Sequence, residues 1–238
     1  MEVNSVEELE KKMSSCWQDI LSRPLAADVQ KILTSGDKKL YAMWLCQVAH
    51  LTRHTSAHQA LVGIRVNQTS YPYAKFCYEH ASEEVGHEMM AIHDLKKIGV
   101  NVSKVDDLPA PLPATQKLNA YLYFISERAH PATRLGFSYW AEKCYPFIHS
   151  LAGNTKKSLG LEDHQMTFFV SHAVIDEKHA ADVERIVKIV CKTPEDWAAV
   201  TTGMVDTLEM AIEIFAEIHG LVYKSGGINH YSKLLSSL

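Results

Sequence analysis

His172, Asp176 and His179 stand at i, i+4 and i+7 in the run His-Ala-Val-Ile-Asp-Glu-Lys-His. On a helix advancing about 100° per residue, these positions fall within roughly 60° of one another, so the three side chains share a face. Phe168 and Phe169 continue that stripe one turn before, and Val183 one turn after. A stripe flanked by Phe and Val faces a core, where two imidazoles and a carboxylate need partners. A first-row metal such as iron, manganese or zinc satisfies all three. The plainer reading is a hydrogen-bonded polar cluster or an exposed face, and the apolar flanks weigh against exposure.

A second cluster is Glu79-His80-Ala-Ser-Glu83-Glu84-Val-Gly86-His87-Glu88. Tyr73, Phe76, His80, Glu84, His87 and Ala91 keep to one helical stripe, again with polar groups on an apolar background. Glu84 and His87 are spaced i, i+3, the Glu-x-x-His arrangement that binds paired metals inside helical bundles. Glu83, four residues before His87, is an alternative ligand to Glu84. Alone, the segment also reads as a solvated acidic patch, because Glu79, Glu83 and Glu88 crowd it. Gly86 costs roughly 1 kcal/mol in a helix interior, which predicts a close neighbour that needs its small size. A third element is Tyr139-Trp-Ala-Glu142-Lys-Cys144-Tyr145, with Glu142 sharing a face with Leu135, Ser138 and Tyr145. Glu84, His87, Glu142, His172, Asp176 and His179 together offer three carboxylates and three imidazoles, enough for two divalent metals with open positions.

At these residues the chain resembles the heme-oxygenase-like di-iron oxidases. The Glu84-x-x-His87 pair, the lone Glu142 and His172-x-x-x-Asp176-x-x-His179 carry the resemblance, which spans roughly residues 40–220. The wording Glu83-Glu84-Val-Gly-His87 and Asp94-Leu-Lys-Lys-Ile-Gly99 extends it. Glu142 is close to uninformative without it. The resemblance implies a seven-helix bundle, usually a homodimer, where the chain's own pattern gives about seven to eight helices. It implies two Fe2+ ions, with O2 as co-substrate for oxidation of a small organic molecule. Some members take a carboxylate about seven residues before the Glu-x-x-His histidine; here that residue is His80, which leaves open what completes the first iron site.

Two other readings compete. Thiaminase-II-like proteins share this fold, and a hydrolase of that kind would use Cys144 as nucleophile with a carboxylate such as Glu209. A metal-containing binding protein without catalysis is the other. His50, His54 and His58 repeat at i, i+4, i+8, but Thr52, Arg53, Thr55 and Ser56 around them favour a partly solvated face over a ligand ladder. Tyr73, Phe76, Tyr139 and Phe168 are expected to line an apolar substrate cavity. Arg128 or Arg134 would pair with a substrate carboxylate, or else lie on the surface.

The elements that must position these groups read almost entirely as helix. Ser5 with Glu8 is a capping box for a helix to Ser22, and Pro24 opens a short second one. Asp37 caps a long helix to Val66; Pro72 opens another that ends at Gly99 after two lysines. An extended connection, 100–114, leads to helices from Thr115 to Ala129 and from Pro131, with a kink or end at Pro146. One helix is expected from Glu162 to Cys191, and Thr193-Pro194 starts the last, to His219. We read a single all-α domain over 1–238, with no repeat and no strand pattern. A net charge of −4 leaves no basic footprint for nucleic acid. Cys16, Cys46, Cys77, Cys144 and Cys191 are scattered, never in a Cys-x-x-Cys pair, as expected for reduced thiols in a cytoplasmic protein. The acidic N-terminus lacks a signal-peptide pattern, and no apolar run is long enough to span a membrane.

Overall fold

The computed structural model describes residues 3–223, 229–236 and 238; the side chains of 169–178, 222, 223, 230 and 233 lie outside that description. Helices begin where the sequence supplies caps. The Ser5 hydroxyl accepts the Glu8 N–H at the start of α1 (Val6–Ser22), while Glu8 reaches back to the Asn4 N–H. Pro24 opens α2 (Pro24–Leu33), and the Asp37 carboxylate accepts the Lys39 N–H before α3 (Lys38–Thr52). There follow α4 (Thr55–Val66), α5 (Tyr71–Glu83) and α6 (Glu88–Ile98), the last ended by left-handed Gly99. Then come α7 (Pro113–Glu127), α8 (Thr133–Glu142), α9 (Tyr145–Leu159), α10 (Thr167–Val190), α11 (Pro194–Tyr223) and a final turn, α12 (Ser232–Leu235). Among the described residues there is no strand, and no helix is long and apolar enough to cross a membrane.

Three expected elements are divided, so the chain has more helical segments than seven or eight. The run 37–66 breaks at Arg53 and His54, and the run 72–98 breaks between Glu83 and Glu88. A short 3-10 turn over Asp163–Gln165 precedes α10 where one continuous helix from Glu162 was expected. Pro146 lies in the first turn of α9, the place where a missing N–H costs nothing.

The bundle is organised around α8 and α11. Gly136 of α8 and Gly203 of α11 let the backbones touch: a methyl carbon on Gly136 would fall on the Met204 nitrogen and Val200 oxygen, and one on Gly203 on the Thr133 carbonyl. Helix α10 packs against α5, α6 and α8. Its start is fixed by Asp94 of α6, fully buried, whose carboxylate accepts the N–H of Thr167 (2.9 Å), the Thr167 hydroxyl (2.7 Å) and the N–H of Phe168 (2.9 Å). A carboxylate there also faces the positive end of the helix dipole.

Candidate metal centre

Four side chains converge where α5, α8 and α10 meet. His80 on α5, Glu84 just past its end, Glu142 closing α8 and His179 on α10 each bring a ligand-type atom within 4.8 Å of the others. Glu142 lies between the imidazoles: Oε1 is 3.2 Å from His80 Nε2, and Oε2 is 3.3 Å from His179 Nδ1. The other His179 nitrogen, Nε2, is 3.0 Å from Glu83 Oε2. Phe76 stacks on the His80 ring with centroids 5.3 Å apart. His80, Glu84 and His179 are all buried.

The sequence folds this way locally because α5 stops at Glu83. Gly86 adopts φ +91°, which a helix cannot continue, and the chain re-enters helix only at Glu88. No facing helix supplies the predicted close neighbour of Gly86: among the described residues nothing lies within 4 Å of the position a Cβ would take. Glycine is required here by backbone angle rather than by space. The Glu-x-x-His pair consequently lies in a turn, with His87 Nδ1 3.1 Å from Glu84 Oε2.

Electrostatically the centre is a set of mutually dependent charges. Burial pushes the Glu142 carboxyl up, but the hydrogen bonds from His179 and His80 outweigh that and hold it well below the usual carboxylate range. The bond to Glu142 raises His179 to about 9 against the effect of burial, and contact with Glu84 raises His87. His179 thus titrates above its ordinary 6.5 when no metal is bound. A proton on His179 then stabilises the fold fully below about pH 6.5, and that contribution is lost as the pH rises through about 9. We expect the melting temperature of metal-free protein to fall across that window and to fall less in His179→Gln. Equal pH profiles for the two proteins in thermal melts would contradict this assignment.

Of the sequence-predicted ligands, Glu84, Glu142 and His179 are brought together, and His87 adjoins Glu84. His172 and Asp176 belong to α10, but their side chains lie outside the described residues. His80 was left out of the predicted ligand set and joins the group; its place on the Phe76–Glu84 stripe was the available signal. His80 Nδ1 is buried and has no hydrogen-bond partner among the described residues.

An open cavity of about 430 Å³ adjoins the cluster, walled by Phe76, Glu79, His80, Ser82 and Glu83 on α5 and by His179, Asp182 and Arg185 on α10. Its lining corrects the expected apolar mouth, since alternate positions of two amphipathic helices bring their charged edges to the opening. Of the four aromatic residues assigned there, Phe76 alone lines it. Tyr73 is buried with its hydroxyl donating to the Pro131 carbonyl, Tyr139 donates to Glu10, and Phe168 packs edge-on against Trp44. Arg134 is fully buried rather than superficial, donating to His58 Nδ1 (3.0 Å) and Ser138 Oγ (2.7 Å). Burial pulls its guanidinium down to about 10, still charged at neutral pH. Arg128 pairs with Glu127 on the surface.

The histidine ladder dissolves in the same way. His50 and His58 are buried, and the three rings find separate partners: the Pro109 carbonyl, the Tyr123 hydroxyl and the Arg134 guanidinium. The partly solvated face expected for them holds only at His54, which is half-buried; His50 and His58 lie on either side of the break in the helix and both are buried. Cys144 is half-buried ahead of α9, and the Glu209 carboxylate is held by Arg23 at 2.6 and 2.7 Å.

A helical bundle with imidazoles and carboxylates gathered at its interior is an architecture that can hold a metal ion. The chain belongs to the iron-containing redox enzymes, whose family model matches residues 42–211. A domain of unknown function with a heme oxygenase-like fold, from Shewanella denitrificans, is 36% identical and superimposes with a TM-score of 0.86, covering 94% of this chain and 97% of that one. A CADD-like protein of unknown function from Nostoc punctiforme shares the fold at 17% identity (TM-score 0.68, covering 90% and 97%). A TenA homologue from Pseudomonas syringae pv. tomato shares it at 12% identity (TM-score 0.69, covering 90% and 91%). No curated protein matches the sequence. The residues present fit iron: two imidazoles and two carboxylates are suitable nitrogen and oxygen donors, and His80 Nδ1 is a buried polar atom with no partner among the described residues.

Proposed function

We propose that this protein is a non-heme di-iron oxidoreductase that uses O2 to oxidise a small organic molecule. The observation that carries the reading is the convergence of His80, Glu84, Glu142 and His179 in a buried site beside a cavity. Glu84, His87, Glu142, His172, Asp176 and His179 would hold the two irons, with His80 as a further donor. Bound Fe2+ supplies electrons for reducing O2 and Lewis-acid sites at which it can bind.

The chain's own residues set the conditions for that chemistry. Glu83 fixes the orientation of the His179 ring through Nε2, leaving Nδ1 toward Glu142. Phe76 covers one face of the His80 ring and helps fix its orientation. Buried Arg134 offsets part of the negative charge of Glu84 and Glu142, which both act on it electrostatically. The reading further takes the 1–238 chain as a single domain acting as a homodimer in the cytoplasm, where cysteines outside any disulfide are stable.

Anaerobic Fe2+ titration followed by an O2 pulse tests it. The native protein should take up about two irons per chain and give an oxidation transient, with His179→Ala taking up one or fewer. Iron uptake no greater than that of His179→Ala, or loaded iron that O2 does not oxidise, would overturn the proposal.

A further inference from the structure

We propose that the cavity beside the cluster admits a small organic cation, one bearing an amine or guanidine group. The reaction such a molecule would undergo rests on the iron-dependent reading above; its binding does not.

At about 430 Å³ the cavity is of the size that takes a small ligand and far larger than a single metal ion needs. Its inner end is formed by His80 and His179, so a molecule in it lies against the candidate metal centre. His80 is 3% exposed and its Nδ1 is without a hydrogen-bond partner among the described residues. Phe76 lines the same space and offers an aromatic surface, which attracts cations.

Charge decides the class of ligand. The lining carries three carboxylates, Glu79, Glu83 and Asp182, against the Arg185 guanidinium and, without metal, the protonated His179, which leaves it net negative. That guanidinium is already spent on Asp182, 3.0 Å away, and Lys75 stands 3.6 Å from Glu79. Glu83 faces His179. A carboxylate entering here meets acidic walls and, among the described residues of the lining, no uncommitted guanidinium or ammonium. Arg134, the residue expected to receive one, is buried on His58 and Ser138, and Arg128 is on the surface with Glu127. An organic cation meets favourable potential along the same path.

Calorimetric titration of anaerobically iron-loaded protein with n-hexylamine, 1-hexanol and n-hexanoate isolates the head group. The amine should bind at least about tenfold more tightly than the carboxylate, with the gap shrinking in about 1 M salt, where screening acts within about 3 Å. The combined Glu79→Gln, Asp182→Asn variant should weaken the amine about two- to tenfold, the range for exposed charges, and leave hexanol unchanged. Hexanoate binding as tightly as the amine, or an amine affinity untouched by the variant, would overturn the proposal. A variant that only slows iron loading would do so too, assigning the acidic rim to metal entry. Repeating the titration on metal-free protein separates the two readings. Amine preference without iron sustains the pocket when the iron titration fails; iron uptake without amine preference removes the pocket alone.

Discussion

Replacing Gly203 with alanine is expected to destabilise the protein by about 3 kcal/mol or more, the upper range for overpacking. The added carbon would occupy the space of the Thr133 carbonyl oxygen, and backbone cannot swing aside as a flexible side chain can. Relief requires α8 and α11 to separate. In a chain of 238 residues this lowers the melting temperature by about 6–12 °C. Because Glu142 closes α8, separation also displaces it from His80 and His179, so iron uptake should fall in parallel. Gly153→Ala and Gly220→Ala are the controls. Both sit in helices with nothing among the described residues within 4 Å of a new Cβ, and alanine should be neutral or stabilising there by up to about 1 kcal/mol. A Gly203→Ala protein melting with these controls would show that the α8–α11 contact is not as close as described.

Asp94→Ala should cost about 3–5 kcal/mol, measured by thermal or denaturant unfolding, and should weaken iron binding. The substitution leaves two backbone donors and one hydroxyl at the half-buried start of α10 without the acceptor that the fully buried Asp94 supplies. Helix α10 would then lose the contact that sets its position against α6, and it carries His172, Asp176 and His179. Asp94→Asn should fall between parent and Ala, because an amide keeps one accepting oxygen but presents N–H groups to a donor. Parent-like unfolding and iron uptake by Asp94→Ala would remove the role assigned to this clamp.

Residues that act locally were readable in the sequence. Ser5 with Glu8, Asp37, Pro24 and Gly99 mark boundaries because caps and turns depend on neighbours a few positions away. The breaks at Arg53–His54 and at Glu84–His87 were not readable, since apolar periodicity continues across both and only Gly86 hinted at the second. Its meaning was misjudged: a glycine in a helical pattern signals either a tight contact or a positive φ, and sequence does not distinguish them. Gly136 and Gly203, which do mark a tight contact, passed unnoticed. For the site, Glu84, Glu142 and His179 were reachable through spacing and resemblance, whereas His80 entered only as a departure. The cavity lining was out of reach, because it depends on how α5 and α10 rotate against each other. Asp94 had a weak signal, an aspartate within the apolar pattern of Ala91, Ile92, Leu95 and Ile98.

Most of the groups that meet at the cluster stand at helix ends. Glu84 follows the last residue of α5, His87 precedes α6, and Glu142 is the final residue of α8; His179 alone lies well inside a helix. Helix ends open at lower free energy than helix middles, through fluctuations that leave the remaining fold intact. Amide hydrogens around Glu84, Gly86 and Glu142 should therefore exchange with solvent by local fraying, ahead of those in the α8–α11 seam. An ion that ties these ends to α10 would close that route, so exchange at a few named amides would report occupancy without reference to turnover.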